Sequence, residues 1–191
     1  MRVGTKSILF GVHHFILHPL LVWISWKLIY GKNPNIRETI CIILHDIGYI
    51  FCKTMDGEDG ERHPELGGKI ANILFGKEFG DLVKFHSRSM ALIYGESVSK
   101  LCLPDKLSFL LYPKYLYIFL GRMSGEIEEY KERMNLNGTS DSEWYDITCI
   151  RAISWAEKNI GQEYIELFQK NFTSKISIIN KKIDIAHTIS P

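Results

Sequence analysis

Six of the seven histidines fall before residue 87, and an ordered subset runs His18, then the adjacent pair His45-Asp46, then His63 and His86, followed by Asp105. Imidazole and carboxylate together suit divalent iron, manganese, zinc or nickel, while the lack of thiolates or a carbonyl cage argues against structural zinc and against calcium. The pair His45-Asp46 stands in an otherwise apolar stretch, where two ionisable groups are costly to bury without a partner or a metal. Neighbouring residues of a helix diverge by about 100°, so both side chains can face one centre if other helices bring their ligands to it. His13, His14 and His187 read first as ordinary satisfied histidines.

The elements that must position these groups are helices. Pro19 to Tyr30 is mostly apolar, with a proline suited to a helix start and Gly31 as a stop. After a turn cluster at Gly31 to Asn35, residues Ile36 to Cys52 carry apolar side chains densely enough for a buried central helix, which would hold His45-Asp46. Lys53 to Arg62 is acidic and glycine-rich and reads as a solvated lid near the site; it lacks the alternating ligands and distal Glu of a calcium loop. His63 to Leu74 and Phe79 to Arg88 read as a third and a fourth helix, the latter carrying His86.

Leu101 to Leu120 is apolar but interrupted by Pro104 and Pro113, so two short buried helices are expected there. Glu126 to Met134 looks charged and surface-like, and Glu143 to Lys170 has the spacing of an amphipathic closing helix. The expected organisation is all-α: one helical domain over 1–172 and a C-terminal tail over 173–191.

Composition sets the outer limits. A chain of 191 residues with 46% hydrophobic and 24% charged side chains is an ordinary globular domain able to bury its own core. Lys+Arg at 23 against Asp+Glu at 22 leaves a net charge of +1, too little field to recruit polymeric nucleic acid. The four cysteines form no CxxC motif and read as reduced core thiols of a cytoplasmic protein. The apolar stretch from Ile8 to Tyr30 is broken by His13, His14, His18 and Lys27, which argues against a signal peptide and a membrane span.

The ordered series His18, Leu44-His45-Asp46-Ile47-Gly48 and Asp105 resembles the HD superfamily of metal-dependent phosphohydrolases. His63-Pro64-Glu65-Leu66-Gly67-Gly68 and Phe85-His86-Ser87 look like the two additional histidines of its two-metal members, such as the HD-GYP cyclic-dinucleotide phosphodiesterases and the symmetrical diadenosine tetraphosphate hydrolases. The likeness spans about Gly11 to Leu110. The Gly-Tyr-Pro signature of the cyclic-dinucleotide enzymes is absent, with Gly48-Tyr49-Ile50 in its place.

This resemblance implies an HD-type helical bundle in which His18, His45, Asp46 and Asp105 bind one divalent metal and Asp46 bridges to a second held by His63 and His86. Iron or manganese come first, with zinc, nickel, cobalt or magnesium as alternatives. It implies hydrolysis of a phosphomonoester, phosphodiester or phosphoanhydride, with a nucleotide or dinucleotide as substrate, by attack of a metal-bridging hydroxide. His18 has the spacing to the doublet that the family favours; His13 and His14 would then act from behind it or toward substrate.

Asp46 and two cations, Lys106 and Arg88, are the residues expected to carry catalysis, and Arg62 is a further candidate phosphate binder, each cation weighed against ordinary surface charge. Tyr112, Tyr115 and Tyr117 could stack on a base, although core packing is the more usual role. A homodimer is compatible with all of this. Two rival readings share the residues: a di-iron HD-type oxygenase, and a catalytically silent nucleotide-binding HD module.

Overall fold

The computed structural model describes residues 1–172 and Ser177. Its described residues form helices and connecting turns without strands, in accord with the all-α, single-domain expectation. The expected tail over 173–191, including His187, lies outside the described residues apart from Ser177. In chain order the helices are α1 (Val3–Phe10), α2 (Leu17–Tyr30), α3 (Ile36–Leu44), α4 (Gly57–Glu61), α5 (Pro64–Phe75), α6 (Lys77–Lys84) and α7 (Arg88–Tyr94). They continue with α8 (Cys102–Ser108), α9 (Lys114–Ser124), α10 (Glu126–Arg133) and α11 (Asp141–Asn159). Residues 162–172 are also helical, and tighter 3-10 turns occupy Ile47–Phe51 and Phe109–Leu111.

Local chemistry explains several boundaries. Asn35 accepts from the Glu38 amide at 2.9 Å while the Glu38 carboxylate accepts from the Asn35 amide at 2.7 Å, a reciprocal cap that fixes where α3 begins. Ser140 caps α11 through the Glu143 amide at 3.2 Å, and Pro64 occupies the first turn of α5, where no amide donor is needed.

Helix α2 is the hub. It packs against α8 and α3, and its Val22 and Trp26 join Ile42 and Leu101 in one apolar cluster. Ile29 reaches a larger cluster built on Leu107, Leu110, Trp144, Phe168 and Phe172. Removing a side chain of this size from water contributes roughly 2 kcal/mol each, so α2 is fixed from two sides. No helix among the described residues is long and apolar enough to cross a membrane.

Four sequence expectations are corrected. The helix foreseen over 36–52 stops at Leu44, and Asp46 takes φ −103°, ψ 3° before the 3-10 turn. The cause is close packing: a Cβ on Gly48 would sit 2.0 Å from the His63 carbonyl oxygen, and one on Gly67 would sit 2.2 Å from the Leu44 carbonyl oxygen. The segment after His45-Asp46 is thus pressed onto the start of α5.

The supposed solvated lid over 53–62 contains α4 and is packed. Met55 is buried, its amide donates to Glu129 at 2.7 Å, and the Lys53 amide donates to Asp59 at 2.5 Å. The charged segment 126–134 hides Glu126 and Ile127 completely. The closing helix ends at Asn159, because Ile160 is extended (ψ 140°), and helix resumes at residue 162.

Helix α1, not among the elements expected from the sequence, is tied to the 3-10 turn through Arg2 to the Phe51 carbonyl at 2.8 Å and Thr5 to the Ile50 carbonyl at 2.9 Å.

Gly48→Ala is expected to lower stability by about 2–3 kcal/mol, because the methyl group meets backbone that cannot swing aside. A urea midpoint equal to that of the wild type would show that the close approach is dispensable.

Candidate metal centre

Three histidines of the series sit at helix ends. His45 directly follows α3, His63 directly precedes α5 after the short α4, and His86 follows α6 by one residue. In each, Nδ1 donates to the carbonyl three residues back: His45 to Ile42 at 2.6 Å, His63 to Gly60 at 2.7 Å, and His86 to Val83 at 2.5 Å. These carbonyls belong to the last turns of their helices, beyond the reach of regular intrahelical amides, and those of Gly60 and Val83 also accept the His63 and His86 amides at 3.1 and 3.3 Å. The hydrogen bond satisfies them and leaves Nε2 of the neutral ring as a bare lone pair. His18, in the first turn of α2, has Nδ1 3.5 Å from Ser108 Oγ, whose hydroxyl donates to the Asp105 carbonyl at 2.8 Å.

The freed Nε2 atoms converge. His18 and His45 Nε2 lie 3.1 Å apart, and His63 and His86 Nε2 lie 3.2 Å apart. Asp46 stands between the two pairs. Its Oδ2 is 3.1 Å from His18 Nε2 and 3.2 Å from His45 Nε2; its Oδ1 is 3.3 Å from His63 Nε2 and 3.4 Å from His86 Nε2. Asp105 Oδ1 completes the first group at 3.2 Å from His18 and 3.6 Å from His45.

Two sets of groups that could hold a metal ion follow, His18/His45/Asp46/Asp105 and Asp46/His63/His86, each with its ligand atoms within 4.8 Å of one another and every member buried. The six ligand candidates of the sequence are thus brought together, and of the three early histidines it is His18, not His13 or His14, that belongs to the cluster.

The donor chemistry fits a cation. Paired nitrogen lone pairs at hydrogen-bonding distance repel unless a proton or a metal lies between them, and Asp46 Oδ2 is buried without a hydrogen-bond partner. Electrostatics point the same way. Burial alone would raise the Asp46 and Asp105 carboxyls, yet both are held well below the usual range, Asp46 by His45 and Asp105 by Lys106 and His18. Burial opposes charge on His45, but Asp46 and Asp105 overcome it and raise its pKa; His63, for which burial dominates, falls to about 4. Carboxylates that retain a proton on His45 would retain a metal cation in its place.

The set opens onto a cavity of about 430 Å³ whose wall includes His18, Asp105, Lys106, Arg88 and Arg151. Lys106 Nζ binds Asp105 Oδ2 at 2.9 Å, leaving Oδ1 turned to the histidines. The Arg88 guanidinium lies 5.2 Å from the Trp155 ring centroid. Tyr112 and Tyr117 line the cavity as expected, whereas Tyr115 is 81% exposed on the outer face of α9. Arg62 is exposed, paired with Glu65, and not part of the cavity wall. His14 accepts from the Ile16 amide at 3.2 Å within its own turn.

Sequence reasoning missed a second buried pair. Glu126, fully buried, accepts from Ser124 Oγ at 2.6 Å, the Val12 amide at 3.1 Å and His13 Nδ1 at 2.8 Å. His13 lines the cavity, its ring centroid 4.9 Å from that of His18. Nothing in the run Glu126 to Arg133 distinguishes its first glutamate from the solvated ones. Comparison with known proteins finds no matching family model, no matching curated protein and no matching solved structure.

Glu126→Gln is expected to cost about 3 kcal/mol near pH 5.5 by leaving a buried pair uncompensated. Burial opposes both charges, but His13 lowers the Glu126 pKa and Glu126 raises that of His13. The carboxylate's contribution is present above about pH 4.3 and lost as pH falls through its lowered folded value; the imidazolium's is complete below about pH 6.5 and lost as pH rises through its raised folded value. Urea midpoints of wild type and variant should therefore differ most between those limits and converge at alkaline pH; a gap unchanged to about pH 9 would exclude a charged pair.

Proposed function

We propose that this chain is a metal-dependent phosphohydrolase of the HD type acting on a small phosphorylated molecule, a nucleotide or dinucleotide in the first instance. One observation carries this reading: a single buried carboxylate, Asp46, turns one oxygen to each of two histidine pairs beside a cation-lined cavity. His18, His45, Asp46 and Asp105 would hold one divalent ion, and Asp46, His63 and His86 a second, iron or manganese by the character of the donors. Such ions supply Lewis acidity, which makes water acidic enough to attack near neutral pH and offsets phosphoryl charge.

The remaining work falls to the chain's own residues. Lys106 fixes the orientation of Asp105 and presents its ammonium to the cavity, where it would hold a phosphoryl oxygen as a point charge. Arg88, steadied against Trp155, offers a planar fork to the same group. Asp46 fixes the spacing of the two ligand sets, and the buried histidines exclude bulk water from them. The resemblance in the ordered His and Asp series supports hydrolysis of phosphate esters over oxygen chemistry, because the cavity adds four cations, Lys106, Arg88, Arg133 and Arg151, suited to an anion.

Metal analysis of the purified protein, coupled to phosphate release from mononucleotides, cyclic dinucleotides and dinucleoside polyphosphates, tests the reading. Two equivalents of metal and turnover of at least one substrate are expected. Asp46→Ala should deplete both metals and reduce turnover about a thousandfold, a loss of roughly 4 kcal/mol in transition-state stabilisation, while His86→Ala should retain one equivalent. Full metal content and turnover in Asp46→Ala would overturn the assignment, as would oxygen consumption without phosphate release in the iron-loaded protein.

A further inference from the structure

Among the described residues, five buried side-chain polar atoms lack a hydrogen-bond partner. Asp46 Oδ2 belongs to the ligand set, and Ser25 Oγ and Trp26 Nε1 lie on α2 away from the cavity wall. The other two, Trp144 Nε1 and Asp56 Oδ2, belong to residues that line the cavity already described.

An unmet buried donor or acceptor costs about 1–3 kcal/mol, and two in one cavity, of opposite hydrogen-bonding sense, match a ligand offering the reverse pair. Both are held firmly. Trp144 is 1% exposed and stacks on Tyr130 with ring planes 5° apart, and the Tyr130 hydroxyl donates to Glu126 at 3.4 Å. Asp56 Oδ1 is bound by Arg133, which also binds Glu61 at 3.0 Å, so the carboxylate is anchored through one oxygen while Oδ2 is left without a hydrogen-bond partner.

A volume of about 430 Å³ exceeds what a phosphoryl group needs and falls in the range of pockets for whole small molecules. The cavity wall carries the cations Arg88, Lys106, Arg133 and Arg151 together with the rings of Tyr117, Tyr130 and Trp144.

We propose that Trp144 Nε1–H and Asp56 Oδ2 form a recognition subsite for the uncharged part of the substrate, a group carrying both a hydrogen-bond acceptor and a donor, as a nucleobase or a sugar does. This rests on the phosphohydrolase reading for the role of the bound molecule, and on the cavity alone for its binding. A site built to hydrogen-bond a polar group discriminates against analogues without one, because its own buried atoms then stay unpaired. Trp144 and Asp56 are therefore specificity-determining residues, and the metal ligands are indifferent to what they select.

The test uses the full chain and two measurements. In the first, adenosine and ribose, neither of which carries phosphate, are titrated calorimetrically into metal-free protein. Adenosine binding is expected, weakened about tenfold in Trp144→Phe, which keeps the ring and deletes the N–H, and likewise in Asp56→Asn. Ribose binding alone would assign the subsite to the sugar; adenosine binding without ribose binding would assign it to the base.

In the second, KM of the manganese-loaded protein is compared for adenosine 5′-monophosphate, ribose 5-phosphate and phenyl phosphate. Trp144→Phe should raise KM about tenfold for the ester whose alcohol binds and leave phenyl phosphate unchanged. Absence of adenosine and ribose binding to the wild type overturns the inference, as does an equal KM change for phenyl phosphate, which marks a merely structural tryptophan. If neither these monoesters nor cyclic dinucleotides and dinucleoside polyphosphates are hydrolysed while adenosine binds and Trp144→Phe weakens it, the phosphohydrolase reading fails and the subsite stands.

Discussion

A carboxylate sealed inside a protein must be answered by positive charge, and Asp46 is faced from two sides by imidazole nitrogens, of which its charge raises the proton affinity of His45. That demand for positive charge governs the rest of the structure. Four imidazoles are turned so that their Nε2 atoms meet in pairs, with two carboxylates among them, and the arrangement is stable only with protons or metal cations at its centre. Structural ion pairs do not need four rings so oriented; a cation-binding cluster does.

The orientation is achieved with economical means. Where a helix ends, its last carbonyls lack partners, and His45, His63 and His86 each supply one with its Nδ1–H. One hydrogen bond therefore caps the helix, selects the tautomer and aims the opposite nitrogen. The close approaches of Gly48 to His63 and of Gly67 to Leu44 then weld two of these helix ends into a single rigid piece, and α2 brings His18 to it from the apolar hub.

The grouping of the His and Asp series was legible from sequence because its residue types are costly to bury and their order is distinctive. The place of several helices was legible from apolar density and from punctuation at Gly31, Asn35 and Pro113, whereas α1, α4 and α7 were not anticipated. What escaped prediction depended on distant packing. The break at Leu44 arises from a backbone contact with residue 63, which no local window contains. Glu126 looks like its solvated neighbours Glu128 and Glu129 until α10 is seated against Val12 and His13. Loop 53–62 seemed unable to pack because its composition is polar, yet Arg133, more than seventy residues away, anchors Asp56. Tyr115 and Tyr117 differ by two positions and face opposite ways, a distinction set by which side of α9 meets the core.

The His–Asp cluster is drawn wholly from the chain up to Asp105, whereas the aromatic wall of the cavity comes mainly from α9, α10 and α11. Most of the chamber's rings are consequently encoded in a different stretch of the polypeptide from the cluster. Substitutions in those later helices can reshape the chamber while leaving the His–Asp constellation intact.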